Sequence, residues 1–354
     1  MDKHLENVNQ HNVTFKSTLA KVFSPFKLTE AKRQNAEKPK DAKTWMIHGL
    51  SEYFGTILIS LLLAGLSTFV TKDRVIEEYL IHPIIVGFYA GFIAVGICLF
   101  LFLRWSCDLN PAVSIFRYLN GTNNGYYTSF KIFIQILGAF TAGAIIFGIG
   151  KIGNPEGLSN LPISAVNSAA KVFPPFKPAT GNPANISSAI SAGTAWIFFI
   201  EMIMTGVLLF PIFSPNINNK YRDLMIMFII SLSVWMGLLG GTAAINPARG
   251  FAQQFPALLS LSTEGGVNHL GSHIGVANYG FADGLAAKGH VFQSIIYGTV
   301  AMILGDLLAP VFYLFVQGLT KTFINPFIVK VISFHNYKSQ VMEKPSDYNK
   351  PDNN

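Results

Sequence analysis

Six stretches of this chain are long and apolar enough to cross a lipid bilayer as helices, and no other feature restricts its fold as strongly. They run from about Tyr53 to Val70, Ile81 to Leu103, Ile132 to Gly150, Ser191 to Phe213, Leu224 to Leu239 and Val291 to Leu319. A backbone in hydrocarbon must satisfy its own hydrogen bonds, so runs of this length read as helices. Only 13% of the 354 residues are charged and half are apolar. A soluble domain is charged at about a quarter of its positions, so a soluble enzyme is the first class excluded. The chain is predicted to be an all-α integral membrane protein.

Residues 1–47 hold nine basic and five acidic residues, with no apolar run of signal-sequence length. They read as a flexible, basic tail, and residues 321–354 as a second one. An even number of spans puts both tails on one side, and the first tail together with Lys321, Lys330, Lys338 and Lys344 makes that side cytoplasmic. A nucleic-acid partner is not expected, since the basic tail lacks aromatic interleaving and any recognition motif. Cys98 and Cys107 lie at the end of one apolar segment, which argues against a disulfide. The eight histidines are scattered, with His269 and His273 in a glycine-rich loop, so neither a metal site nor a cofactor is expected.

Two shorter apolar segments, Pro111–Leu119 and Pro247–Leu259, cannot cross. Each opens on the same triplet, Asn110-Pro111-Ala112 and Asn246-Pro247-Ala248. Asparagine is a good N-cap and proline suits the first helical position, so both triplets start helices. One follows the second span and one follows the fifth. Three spans per half would give the halves opposite orientations, so two half-helices would enter from opposite faces and meet tip to tip. Bare backbone at that depth requires a polar cavity or burial in protein. A polar path through the bundle is the natural expectation.

With these residues in place, the chain resembles the major intrinsic protein family, the aquaporins and aquaglyceroporins, and among them the glycerol-facilitator type. The stretches that carry the resemblance are Ser51–Thr56, Leu109–Ser114, Gln135–Ala139, Glu201 with Thr205, and Ile245–Arg249, within residues 48–320. A third triplet, Asn182-Pro183-Ala184, has no span before it and reads as coincidence. The resemblance implies six spans plus two re-entrant half-helices in an inverted repeat, about 48–150 and 191–320, joined by an outer loop at 151–190. It implies a homotetramer in the plasma membrane, each subunit its own pore, passing glycerol, water and other small uncharged solutes without catalysis. Asn110 and Asn246 would donate to the solute, and Glu52 and Glu201 would accept hydrogen bonds from the re-entrant backbone. The family's outer constriction maps to Ala90, Val234, Ala243 and Arg249, a wide and mostly aliphatic set, unless the register slips and admits Phe88 or Phe92. Phe173 or Phe176 of the outer loop could also reach the mouth.

Departures from the family pattern remain. Asp108 stands where a histidine is usual, and Arg104 lies four residues earlier, close enough on a helix to pair with it; both could equally be solvated charges at the inner mouth. Gly250 follows Arg249 where the glycerol type has aspartate. Asp306 has no counterpart role, and its neighbours Gly305 and Ala309 suggest close helix packing around it. Two rivals stay open: an ion-coupled secondary transporter with broken helices, and a closed, structural member of the same fold.

Overall fold

A computed structural model describes residues 15–176, 185–279 and 284–342. The third Asn-Pro-Ala triplet, Lys344 and the chain ends 1–14 and 343–354 lie outside these residues. Six helical spans run over Ala42–Ser67, Pro83–Phe102, Gly125–Gly153, Ile186–Phe213, Asn219–Gly240 and Leu285–Lys338.

The solvent for which these spans are built is legible on the first of them, α3 (Ala42–Leu63). Its buried residues are small or polar, Gly49, Ser51, Glu52, Gly55, Thr56 and Ser60, whereas Leu50 and Phe54 are about half exposed. Large apolar side chains face outward on other spans too, among them Phe100 and Phe133. A water-soluble bundle does the reverse. Lipid tails give no hydrophobic force between helices, so small residues that permit close approach go inside. The chain is an integral membrane protein.

The first span starts earlier than hydropathy suggests, because Asp41 caps it: its carboxylate accepts from Thr44 N at 2.9 Å. The fourth starts at Ile186, inside what reads in sequence as the outer loop, behind the N-cap Asn185. The second begins with Pro83 behind His82 (α5, Pro83–Phe88), passes through a π-helical turn at Tyr89–Val95 and ends as α6 (Gly96–Phe102).

The described residues fall into two compact units, residues 29–313 and residues 15–28 with 314–342. In the smaller, α1 (Phe15–Phe23) is a helix within the stretch 1–47 that reads in sequence as a flexible tail. Its Val22 is buried and Phe23 meets Phe315 at 6.3 Å. A short α2 (Glu30–Gln34) follows, within the larger unit. The second tail likewise carries α15 (Asn325–Met342), exposed where its side chains are described.

In the larger unit, a two-stranded ribbon, β1 (Phe69–Thr71) and β2 (Arg74–Val75), leads into α4 (Ile76–Leu80) between the first two spans. Helix α7 (Pro111–Leu119) packs on the third span, α8 (Gly125–Gly153), as does α12 (Pro247–Ser260). The fourth and fifth spans are α10 (Ile186–Phe213) and α11 (Asn219–Gly240), the last begins as α14 (Leu285–Leu319), and α9 (Ala165–Val172) lies in the outer loop. The glycine-rich stretch that reads as a histidine-bearing loop forms α13 (Glu264–His273), with His273 packed on Phe69 at 5.0 Å.

Candidate functional site

The two short helices α7 and α12 begin at one point. Asn110 caps α7 through Oδ1, which accepts from Ala112 N at 2.9 Å. Asn246 caps α12, accepting from Ala248 N at 3.0 Å and Arg249 N at 3.3 Å. Each amide nitrogen then reaches across: Asn110 Nδ2 donates to Ile245 O at 2.9 Å, and Asn246 Nδ2 to Leu109 O at 2.6 Å. With the amide oxygens committed to capping, each NH2 keeps one hydrogen that can point only as a donor. The positive ends of two helices face one another at the same place. Neutral acceptors are welcome there and cations are not.

Reaching this geometry needs unusual backbone. Leu109 and Ile245, one before each asparagine, have φ of 50° and 57°, a region a β-branched isoleucine almost never occupies. Two buried glutamates hold it. Glu52 accepts from Asp108 N at 2.9 Å and Leu109 N at 2.8 Å; Glu201 accepts from Ala244 N and Ile245 N, both at 2.9 Å. Thr242 Oγ1 also donates to Glu201, while Ser106 Oγ (2.6 Å) and Gln135 Nε2 (2.8 Å) donate to Glu52. Neither carboxylate is exposed. Asp306 is equally buried and does not line the path; Thr205 Oγ1 donates to its Oδ1 at 2.6 Å, its Oδ2 has no partner, and Glu201 and Arg249 are the charges that act on it.

Beside the paired asparagines runs a cavity of about 360 Å³. Its lining includes Glu77 with the neighbouring charges Lys171 and Arg249, the apolar set Ala90, Val234 and Ala243, the paired Asn110 and Asn246, and Asp108 with Arg117 and Arg222. Ala90, Val234 and Ala243 share one apolar cluster. Phe88 and Phe92 stack on each other at 4.8 Å and do not line the cavity. At Gly91 a Cβ would strike Met227 O and Ser231 of α11, so the helix bearing Ala90 lies hard against the helix bearing Val234. Arg249 donates from Nη1 to Ala243 O at 3.2 Å, and its buried Nε has no partner.

The outer loop walls this cavity, since Leu161–Ile163, Asn167 and Lys171 all line it. It is stitched to α12: Gln253 Nε2 donates to Leu161 O at 3.0 Å, and Gln254 both accepts from Ile163 N and donates to Ile163 O at 2.8 Å. Phe173 and Phe176 do not line the cavity; Phe173 packs on Trp196 at 6.0 Å instead. Glu77 is half-buried in α4, and burial pushes its carboxyl above the usual range against the opposing pull of Lys171 and Arg249.

The pairing of Arg104 with Asp108 is corrected. Helix α6 stops at Phe102, so the two residues share no helical face, and Arg104 is exposed. Asp108 is buried instead in a charge cluster: Oδ1 takes Arg117 Nε at 2.7 Å, and Oδ2 takes Lys131 Nζ and Ser114 Oγ, both at 2.9 Å. Lys131 also lies 3.8 Å from Glu52. Hydropathy alone missed Lys131 because it precedes the apolar run. The signal that could have found it is spacing, since Tyr127, Lys131 and Gln135 recur every four residues on one face of α8.

A family model described as Major intrinsic protein matches residues 40–262, well over half of the chain. The chain belongs to the major intrinsic protein family. No curated protein matches it. The matched segment holds the first five spans together with α7 and α12, hence both Asn-Pro-Ala triplets. As a member of the major intrinsic protein family, the protein is a membrane channel for small solutes and not an enzyme. Among the described residues no cluster of metal-ligating side chains occurs.

Proposed function

We propose that this major intrinsic protein is a passive channel for glycerol and similar small uncharged solutes, with water also passing. One observation carries the reading: Ala90, Val234, Ala243 and Arg249 all line the cavity, the first three within one apolar cluster, and no aromatic side chain is among the described lining residues. A wide, mostly aliphatic opening with one guanidinium suits a solute that has hydroxyls and some apolar surface. Below it, the donor-only amides of Asn110 and Asn246 donate to hydroxyl oxygens in passing and interrupt a chain of waters.

The correspondence of Glu52 with Glu201, Leu109 with Ile245 and Asn110 with Asn246 supports an inverted repeat, with α7 and α12 as re-entrant half-helices from opposite faces. Assembly into a homotetramer belongs to this reading as the family resemblance implies it, while the abundant outward apolar side chains support placement in lipid. The basic chain ends support a plasma-membrane orientation with both termini cytoplasmic. Purified protein in liposomes, followed by stopped-flow light scattering with water, glycerol, urea and larger polyols, tests the reading. Glycerol flux well above that of empty vesicles, indifferent to ion gradients, is expected. Flux that requires an ion gradient would identify a coupled transporter, and swelling equal to empty vesicles would identify a closed member of the fold.

A further inference from the structure

A second cavity, of about 480 Å³, shares Leu103, Cys107, Asp108 and Arg117 with the channel cavity. These four residues therefore line both spaces, and in the channel reading the place they share is the neck of the pathway. Most of their polar capacity is already consumed. The side chain of Asp108 is 2% exposed, and both its oxygens are occupied by Arg117, Lys131 and Ser114. Arg117 differs. Its Nε is tied to Asp108 at 2.7 Å and its Cζ lies 5.4 Å from the Phe213 ring, yet its side chain is 33% exposed. Its Nη1 and Nη2 take no partner among the described residues.

Comparison with the other arginines on the cavity sharpens the point. Arg222 spends its donors on Asn219 Oδ1 and on the carbonyls of Pro211, Ile212, Ser214 and Ile217, at 2.7–3.1 Å. It staples the end of α10 and offers a solute nothing. Arg249 and Arg117 alone among these three keep donors for the path. Arg117 stands seven residues beyond Asn110, roughly 10 Å along α7 at 1.5 Å per residue.

We infer that Arg117, locked by Asp108 and Phe213, is a second specificity-determining residue of the channel, a donor-only station that favours neutral solutes bearing oxygen acceptors and turns back cations. The inference rests on the channel reading above. A buried carboxylate behind an exposed guanidinium leaves the positive side facing the neck, where the low-dielectric walls strengthen its field. The Asp108 contact also removes rotational freedom, so the two free nitrogens are held ready in place.

The full-length protein in liposomes provides the test, with glycerol, water and entrapped K⁺ as probes. Arg117→Gln should lower the glycerol-to-water permeability ratio about three- to tenfold, the scale of one lost ordinary hydrogen bond, and should raise K⁺ leak. Arg117→Lys should keep K⁺ in while still lowering the ratio, because an ammonium lacks the fork. A conducting Arg117→Gln protein with both readouts unchanged would overturn the inference. Should that variant fail to fold, an unchanged ratio in Arg117→Lys does the same. Wild-type vesicles impermeable to glycerol would overturn the channel reading, and this inference with it.

Discussion

Replacing Glu52 by glutamine removes one charge and exchanges one oxygen for an NH2 group at the most constrained point of the first half. Two backbone donors, Asp108 N and Leu109 N, aim at different oxygens of this carboxylate. Ser106 can rotate its hydroxyl to accept, and Gln135 can flip, bringing round an amide oxygen that is otherwise buried without a partner. Neither backbone N–H has such freedom. One of them must therefore face a donor, and an orphaned buried donor costs about 1–3 kcal/mol. The left-handed Leu109, at φ 50°, is strained in wild type and variant alike, so that strain cancels in the difference. Chemical unfolding in detergent micelles should show E52Q less stable than wild type by about 1–3 kcal/mol, the cost of that one orphaned donor. Glycerol and water flux should fall together, because both solutes pass Asn110, whose position depends on this loop. Restoring the charge with E52D should not recover both, since the shorter arm cannot reach both amides. An E52Q protein within about 0.5 kcal/mol of wild type, the range of an ordinary surface substitution, and with unaltered flux, would refute this account of how the loop is held.

Other expectations can be checked alongside. A243F puts a ring into the aliphatic cluster of Ala90 and Val234, so stopped-flow measurements should find larger polyols slowed far more than water; equal slowing of all solutes, or of none, would count against these positions as the constriction. D306N replaces a buried carboxyl next to Glu201 by an amide of the same size, and the Asp306 Oδ2 it replaces has no partner, so the unfolding free energy should hold or rise, and a loss beyond about 2 kcal/mol would mean that a carboxyl is required at this position. Glu77 binds its proton more readily in the folded protein, because burial raises it. Folded stability should therefore decline as pH climbs from the ordinary glutamate value through the raised one. E77Q should be flat over that window, and a wild type that gains on E77Q with rising pH would contradict the sign.

How much of this was legible beforehand can be judged from particular residues. Asn110 and Asn246 announced two helix starts because capping and proline at the first turn are local chemistry, complete within three residues. Glu52 and Glu201 were conspicuous because a carboxylate in an apolar run demands a partner. Their partners were not readable: Glu52 binds Leu109, 57 positions away, and Glu201 binds Ile245, 44 away. The pairing of Asp108 with Arg104 failed for the same reason, since spacing of four implies contact only where a helix joins the two. The helix had ended at Phe102, and the counter-charges came from α7 and α8 instead.

Periodicity, length and the two triplets were enough to specify a lipid-embedded helical protein with two short helices, because a bilayer leaves the backbone few alternatives. They could not say which charge would answer which, nor that two guanidinium groups would be left open on one cavity. Those outcomes depend on side chains brought together from four or five helices. In a medium that rewards no apolar contact between spans, close packing of small residues and buried hydrogen bonds choose the partners, and both exist only once the bundle has formed.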